Sequence, residues 1–498
     1  MRHLLGIDIG SYSSKGVLLD ESGTIRATAQ RKHDMRVPAP GLAEHDALQD
    51  WWEGFRTLSQ RLILDSGIDP VSVAAVGCSG IGPCALPVTE AGKPLRPAIL
   101  YGVDTRAETE IEELNAELGA SAVLARTGNP LTTQSVGPKV RWLAKHEPDT
   151  FCQTARIVGC PTFIVHRLTG RWIVDHYGAS CCTPFYDLAA KDWHCETIER
   201  ICPVDWLPEI AWTTEVIGHV SAKAARETGL AAGTAVIAGT IDAASEAISV
   251  GVQKPGDLMI MYGTTAFFIQ VNADLVIDSR FWAAPFLFEN TWTLMGGLAT
   301  GGGLTQWFRK EMTGLSDEDS SFQTLMEEAL KSPPGAKGIL MLPYFSGERT
   351  PINDPQAKGL IFGLTLAHRR GDIYRALIEG IGHAIRHNLD SFAEIQPARS
   401  SYAAGGGVQN PLWTQCVSDI AGVHQNVRRQ TVGAALGSAF LAGIGCGIFV
   451  PEDIERLNPI VSQITPNEAN RNRYEVDHAA FKALYANNKA TMRRSTVS

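Results

Sequence analysis

With 498 residues, 44% of them hydrophobic and 19% charged, the chain can build two or three ordinary domains around real cores, which excludes disorder over most of its length. A formal net charge of −9 argues against a general nucleic-acid binder, which needs basic stripes to neutralise phosphates. No run approaches the roughly 20 apolar residues that span a bilayer, no secretory leader precedes the first strand, and the ten cysteines are scattered without a C-x-x-C. A cytoplasmic protein with free thiols, no membrane partner and no nucleic-acid partner is expected.

In chain order, Leu4 to Ile9 reads as a strand, Gly10-Ser11-Tyr12-Ser13-Ser14 as a tight turn, and Lys15 to Leu19 as the returning strand. Asp20-Glu21-Ser22-Gly23 makes a second turn before Thr24 to Ala29. Leu48, Trp51, Trp52, Phe55, Leu58 and Leu62 recur at helical spacing over Ala47 to Leu64. Val73 to Cys78 is a buried strand that runs into Gly77-Cys78-Ser79-Gly80-Ile81-Gly82. Gly239-Thr240-Ile241-Asp242 ends another strand and opens a small-residue helix, Ala243 to Val250.

After the polar stretch Gly251 to Asp257, the opening pattern recurs: Leu258 to Tyr262, the turn Gly263-Thr264-Thr265, then Ala266 to Val271. Two copies of one unit predict two related halves, 1–250 and 251–498, the second ending in a helical tail. Within the second half, Asp372 to Phe392 is a long amphipathic helix, and Tyr402 to Gly407 a strand ending in three glycines. Gly433 to Gly445 is a small-residue helix able to pack very closely. Alternating strands and helices place the chain in the α/β class.

Several segments could carry chemistry. Asp8 ends a strand beside a turn rich in hydroxyls and backbone N–H groups, a pattern that suits phosphate oxygens and a water-mediated Mg²⁺, or simply a hairpin with a solvated aspartate. Gly263-Thr264-Thr265 is the matching turn. Asp242 could accept a proton from a substrate hydroxyl or could cap the helix that follows it. Gly301-Gly302-Gly303 opens a helix whose N–H groups could meet a phosphate. Gly405-Gly406-Gly407 lets a flat ring lie against backbone, with Asn410 either bonding a purine edge or capping the next helix.

These elements, in this order, resemble the FGGY family of carbohydrate kinases. The most specific match is Gly359-Leu360-Ile361-Phe362-Gly363-Leu364, followed by His368-Arg369-Arg370 and Tyr374 to Gly380, which is similar to the family's C-terminal signature. The resemblance implies two ribonuclease H-like domains of the actin/Hsp70/hexokinase type with an interdomain cleft: an N-terminal sugar-binding domain and a C-terminal nucleotide-binding domain. It implies ATP and Mg²⁺, with Asp8 as the Mg²⁺-associated carboxylate and Asp242 as catalytic base. Ser11, Ser13, Gly263 and Thr264 would contact phosphates, and Gly302, Gln306, Gly406 and Asn410 would hold the nucleotide. Tyr101, Asp104, Arg106, Gln134, Asp242 and Phe267 would contact the substrate, a small sugar or polyol. Homodimers are common in the family, so a homodimer is the assembly implied.

The departures from pattern concern the sugar. Ile81-Gly82-Pro83 stands where xylulose kinases read Gln-Met-His and where glycerol kinases carry an Arg-Glu pair. Tyr101 replaces an expected Trp, Ala243 an expected Asn or Gln, and Tyr12 a small hydroxyl residue. Each lost polar group removes a contact that could select a hydroxyl. A pentulose such as D-xylulose is the expected acceptor. The alternatives are another polyol or sugar acid (erythritol, ribulose, gluconate, glycerol) and a non-catalytic actin/Hsp70-type ATP switch.

Overall fold

The computed structural model describes residues 1–315 and 319–494. Its first compact unit is centred on a seven-stranded sheet. Strands β1 (His3–Ile9), β2 (Ser13–Asp20) and β3 (Ile25–Lys32) form an antiparallel meander. The later strands are β4 (Val73–Gly80), β5 (Val216–His219), β6 (Ala235–Ile237) and β7 (Thr240–Ile241). The order across the sheet is β5-β6-β4-β1-β2-β3, with β7 also paired to β4. Leu4, Leu5, Ile7 and Ile9 are all fully buried, the continuous apolar run expected of a strand covered on both faces.

Helices α1 (Glu53–Ser66), α2 (Val136–His146), α3 (Asp242–Ser249) and α4 (Ala434–Gly445) belong to the same unit. The apolar stripe predicted from Ala47 begins as a π-helical turn over Ala47–Trp52 before α1 takes over, and it buries Trp51, Phe55, Leu58 and Leu62.

The chain passes from the first compact unit to the second close to the expected division, but the units are interleaved further on. The first unit comprises Met1–Gln253, Val271–Leu294 and Val432–Pro459; the second comprises Lys254–Gln270, Met295–Thr431 and Ile460–Ser498. The physical reason lies in α4. A Cβ on Gly6 would overlap the Ala435 carbonyl, and one on Gly77 would overlap the Ser438 carbonyl, so this helix lies directly on the backbones of β1 and β4. The Ser245 hydroxyl of α3 adds a hydrogen bond to the Ala434 carbonyl at 2.7 Å.

The second unit is centred on strands in the order Trp292–Leu298, Ala266–Asn272, Asp257–Tyr262, Ser400–Ala404, Gln425–Arg428, Ile460–Ile464. The 24-residue helix Arg370–Ala393 supplies its largest buried face. The predicted tail is the helix Arg471–Arg494, and residues 495–498 lie outside the described residues. Among the described residues no helix is long and apolar enough to cross a membrane.

Candidate active site

In the first unit, β4 aligns two carboxylates. Asp8 of β1 pairs with Ser79, and Thr240 and Ile241 of β7 pair with Ser79 and Gly80, so Asp8 and the residue after β7, Asp242, flank the end of β4. The Ser79 hydroxyl donates to Asp8 Oδ1 at 2.9 Å. Burial raises the Asp8 carboxyl to about 6, with the Ser79 bond and Lys15 opposing. Asp242 is pushed well above the usual carboxylate range, first by burial and then by the charge of Asp8.

Asp242 is not a helix cap. It is the first residue of α3, no side chain caps that helix, and its carboxylate accepts only the N–H of Ala243, at 2.8 Å. A capping aspartate would take an N–H two or three residues on. What remains is a half-buried carboxylate with one oxygen outside these bonds.

The turn beside Asp8 is held from outside. The Gly10 N–H bonds the Ser13 carbonyl at 3.1 Å, the His33 N–H bonds the Tyr12 carbonyl at 3.0 Å, and His45 Nε2 lies 3.0 Å from the Ser11 carbonyl. Among the described residues the Ser11 and Tyr12 N–H groups have no intramolecular acceptor. Carbonyls tied back and amides left open make an anion nest. Tyr12 is 61% exposed, so its phenol stands clear of the turn.

The residues expected to read sugar hydroxyls divide. Asp104 and Arg106 are buried and committed to each other, with Arg106 Nε 2.9 Å from Asp104 Oδ1. Asp104 also accepts the Ala43 N–H at 2.7 Å, and Arg106 joins Arg96 on Glu44. This closed ion cluster holds the loop after Tyr101 and engages both side chains with protein partners. Tyr101 is half-buried against the first core, and Gln134 is half-buried with no hydrogen bond to its side-chain amide among the described residues.

Ile81, Gly82 and Pro83 line a cavity of about 30 Å³ together with Asp175, Cys182 and Ile241, space for about one water. Nearby Lys139 is fully buried, its ammonium bonding the Thr133 carbonyl at 2.7 Å, and burial lowers its pKa to about 8.

In the second unit the glycine segments converge. Gly302 N–H bonds the Gly263 carbonyl, and the N–H groups of Gly301 and Gly303 bond the Thr264 carbonyl, each at 2.9 Å. Side chains would not fit: a Cβ on Gly302 would lie 2.8 Å from the Gly263 carbonyl, and one on Gly407 would lie 2.6 Å from the Trp413 ring. A Cβ on Gly406 meets nothing within 4 Å, so this glycine borders open space. Thr264 and Gln306 are exposed beside these loops. Phe267 lies against Gly297 on the neighbouring strand. Asn410 caps the helix Pro411–Ala421 by accepting the Trp413 N–H at 3.1 Å, so its carbonyl oxygen is already used.

Two residues escaped the sequence reading. Trp413 is buried beside both Gly302 and Gly407. Glu348 is buried and accepts the N–H groups of Ala299 and Arg349 at 2.7 Å each, bracing the loop that leads to Gly301. Burial raises its carboxyl to about 8.

The two sheet-centred units and their glycine loops define a two-domain α/β protein of the actin/hexokinase-like class. The model for the FGGY N-terminal domain of carbohydrate kinases matches residues 3–249, and that for the C-terminal domain matches residues 258–446. The chain belongs to the FGGY family of carbohydrate kinases and is a phosphotransferase that uses ATP. It is 30% identical over 492 residues to the xylulose kinase of Escherichia coli (strain K12), covering 97% of this chain and 98% of that one. The crystal structure of xylulose kinase from Rhodospirillum rubrum superposes with a TM-score of 0.91 at 31% identity, over 99% of this chain and 100% of that one. The gluconokinase of Bacillus subtilis (strain 168) is 24% identical, over 93% of this chain and 90% of that one.

Proposed function

We propose that the protein transfers the γ-phosphoryl group of Mg–ATP to a hydroxyl of a pentulose such as D-xylulose, with Asp242 as catalytic base. The observation that carries this reading is the pair of half-buried carboxylates flanking the end of β4, Asp8 and Asp242, beside a turn whose N–H groups stand open. Two like charges in a desolvated site favour keeping one proton between them. In its ionised form, which a cation beside Asp8 would favour by offsetting the like charge, Asp242 can take the proton of an attacking hydroxyl on the oxygen that Ala243 leaves free.

The donor set near Asp8 fits Mg²⁺. Its carboxylate has one side-chain hydrogen bond, from Ser79, and its charge is felt by a second acid, Asp242. Mg²⁺ typically keeps several waters and takes one or two carboxylates plus phosphate oxygens, and when bound it would neutralise charge developing on the transferred group. Ser11, Ser13 and the open N–H groups of the first turn would orient phosphate oxygens. In the second unit Thr264 would offer a phosphate its exposed side chain, while Gly263 and Gly302, whose N–H groups are already bonded, would shape the backbone beside it, with Gln306, Gly406 and Asn410 at the nucleotide. Tyr101, Gln134 and Phe267 are the remaining sugar contacts. Phosphoryl transfer asks chiefly for such positioning.

The xylulose kinases among the relatives support the acceptor, and the gluconokinase supports a sugar acid as the second reading. We expect the reaction in the cytoplasm, consistent with ten free cysteines, and a homodimer as the assembly. The test is a coupled ADP-release screen over pentuloses, hexuloses, tetritols, glycerol and aldonic acids. D-xylulose should give the highest kcat/KM; an aldonic acid in first place would overturn the acceptor. Asp242→Asn should keep nucleotide binding and lose nearly all transfer, and a variant retaining most turnover removes Asp242 from the base role.

A further inference from the structure

A short polar segment, Ala43-Glu44-His45-Asp46, runs between the sugar-side loop and the phosphate turn of the first unit. It pairs antiparallel with Ala98–Ile99, Glu44 opposite Ile99 and His45 opposite Ala98. Successive side chains of a strand point to opposite faces. Here Glu44 gathers the guanidinium groups of Arg96 and Arg106, while His45 reaches the turn after β1.

His45 is fully buried. Its Nδ1 receives the indole N–H of Trp51 at 3.1 Å, and its Nε2 lies 3.0 Å from the Ser11 carbonyl oxygen. An indole nitrogen only donates, so Nδ1 must be the bare nitrogen and Nε2 must carry the hydrogen given to Ser11. Trp51 is also fully buried, 6.0 Å edge-on to Phe163, and the His33 ring packs edge-on to His45 at 5.2 Å. The imidazole has neither a free tautomer nor room to turn. Burial also lowers its pKa to about 4, so it supplies a directed donor and no charge.

The consequence follows from peptide planarity. The Ser11 carbonyl and the Tyr12 N–H belong to one trans peptide unit and point in opposite directions. A donor that holds the carbonyl on one side therefore holds the amide on the other, where it has no intramolecular acceptor. Released, that plane could rotate and present a carbonyl oxygen to the phosphate in place of an N–H.

We propose that His45 is a positioning residue of the phosphoryl-transfer site, which locks the Ser11–Tyr12 peptide plane so that the Tyr12 N–H faces the phosphate of the nucleotide. The inference rests on the reading of Gly10 to Ser13 as a phosphate turn. Trp51 acts one step further out by fixing the tautomer of His45.

The experiment compares the parent enzyme with His45→Leu, His45→Gln, Trp51→Phe and Asp8→Asn, measuring KM for Mg–ATP, KM for the sugar, kcat and Tm. His45→Leu should raise KM for Mg–ATP at least about tenfold, with the sugar KM within about twofold of the parent, a split that general loosening would not give. His45→Gln, which restores a side-chain N–H donor, should recover most of the loss. A parental KM for Mg–ATP in His45→Leu, or a sugar KM that rises in step with it, overturns the proposal.

Should His45→Leu fail to fold, Trp51→Phe decides. It leaves the ring in place but frees the tautomer, so KM for Mg–ATP should rise severalfold, and an unchanged value overturns the proposal. Asp8→Asn separates the two levels of the reading. Parental turnover in that variant removes the phosphate turn itself. A dead Asp8→Asn beside a normal His45→Leu removes only the role of His45.

Discussion

Replacing Asp8 with Asn should make the protein more stable and inactive at once, and the gain should grow with pH. Burial raises the Asp8 carboxyl from 3.8 to about 6, so the ionised form is the one that the fold disfavours. For an acid whose folded pKa is raised, the penalty is absent below the unfolded value. It accumulates as pH climbs from 3.8 through 6 and is constant above. At about 1.4 kcal/mol per pKa unit, the shift corresponds to at most about 1.5 kcal/mol at pH 5 and about 3 kcal/mol at pH 8.

Asparagine removes that penalty, still accepts the Ser79 hydroxyl through its amide oxygen, and relieves the repulsion that raises Asp242. Thermal unfolding of parent and variant at pH 5, 6, 7 and 8, without nucleotide, should show a Tm gap in favour of Asp8→Asn that widens with pH, while ADP release is lost. A gap that is independent of pH, or a variant less stable than the parent at pH 8, would refute the reasoning. Stored strain of this kind is a common cost of a working site.

Gly6→Ala should cost at least about 3 kcal/mol, because the new methyl group overlaps the Ala435 backbone and overpacking against a backbone has little room to relax. Gly406→Ala, at a position open on all sides, should leave Tm unchanged yet raise KM for Mg–ATP. Arg106→Met should lower stability by about 3–5 kcal/mol, since Asp104 and Glu44 would lose a buried partner. It should leave the rank order of sugars in the ADP-release screen as it was, and a reordered preference would restore Arg106 as a substrate contact. Glu348→Gln keeps an acceptor for the Ala299 and Arg349 N–H groups while removing a carboxylate whose ionisation the fold resists up to about pH 8. Its Tm advantage over the parent should widen from pH 5 to pH 8.

The strand-turn-strand openings at Asp8 and Gly263 were legible because strand, turn and carboxylate all lie within a few residues, so local chemistry reports them. Asp242 stands out only through the company it keeps, since its own segment reads equally as a helix start, although its side chain makes no cap bond. The ion cluster of Asp104 and Arg106 was not legible for a physical reason: an Asp–Arg pair two residues apart looks the same whether it greets a ligand or closes on itself. The partner that decides, Glu44, is 60 residues upstream of Asp104. His45 and Glu348 escaped for the same cause. Each acts on a carbonyl or amide in a segment remote in sequence, and nothing in its own neighbourhood records that bond. The return of Ala434–Gly445 to the first unit was not legible, because its small residues advertise close packing without naming the surface.

That crossing has a consequence for how the protein comes into being. Strands β1 and β4 are synthesised within the first 80 residues, but the helix that covers their bare glycines emerges more than 350 residues later. Until then Gly6 and Gly77 leave bare backbone uncovered, so the first unit cannot close until most of the second has been synthesised. A fragment cut at residue 253 would lack an internal part of its own core, and a nascent chain stalled there is an obvious client for a chaperone.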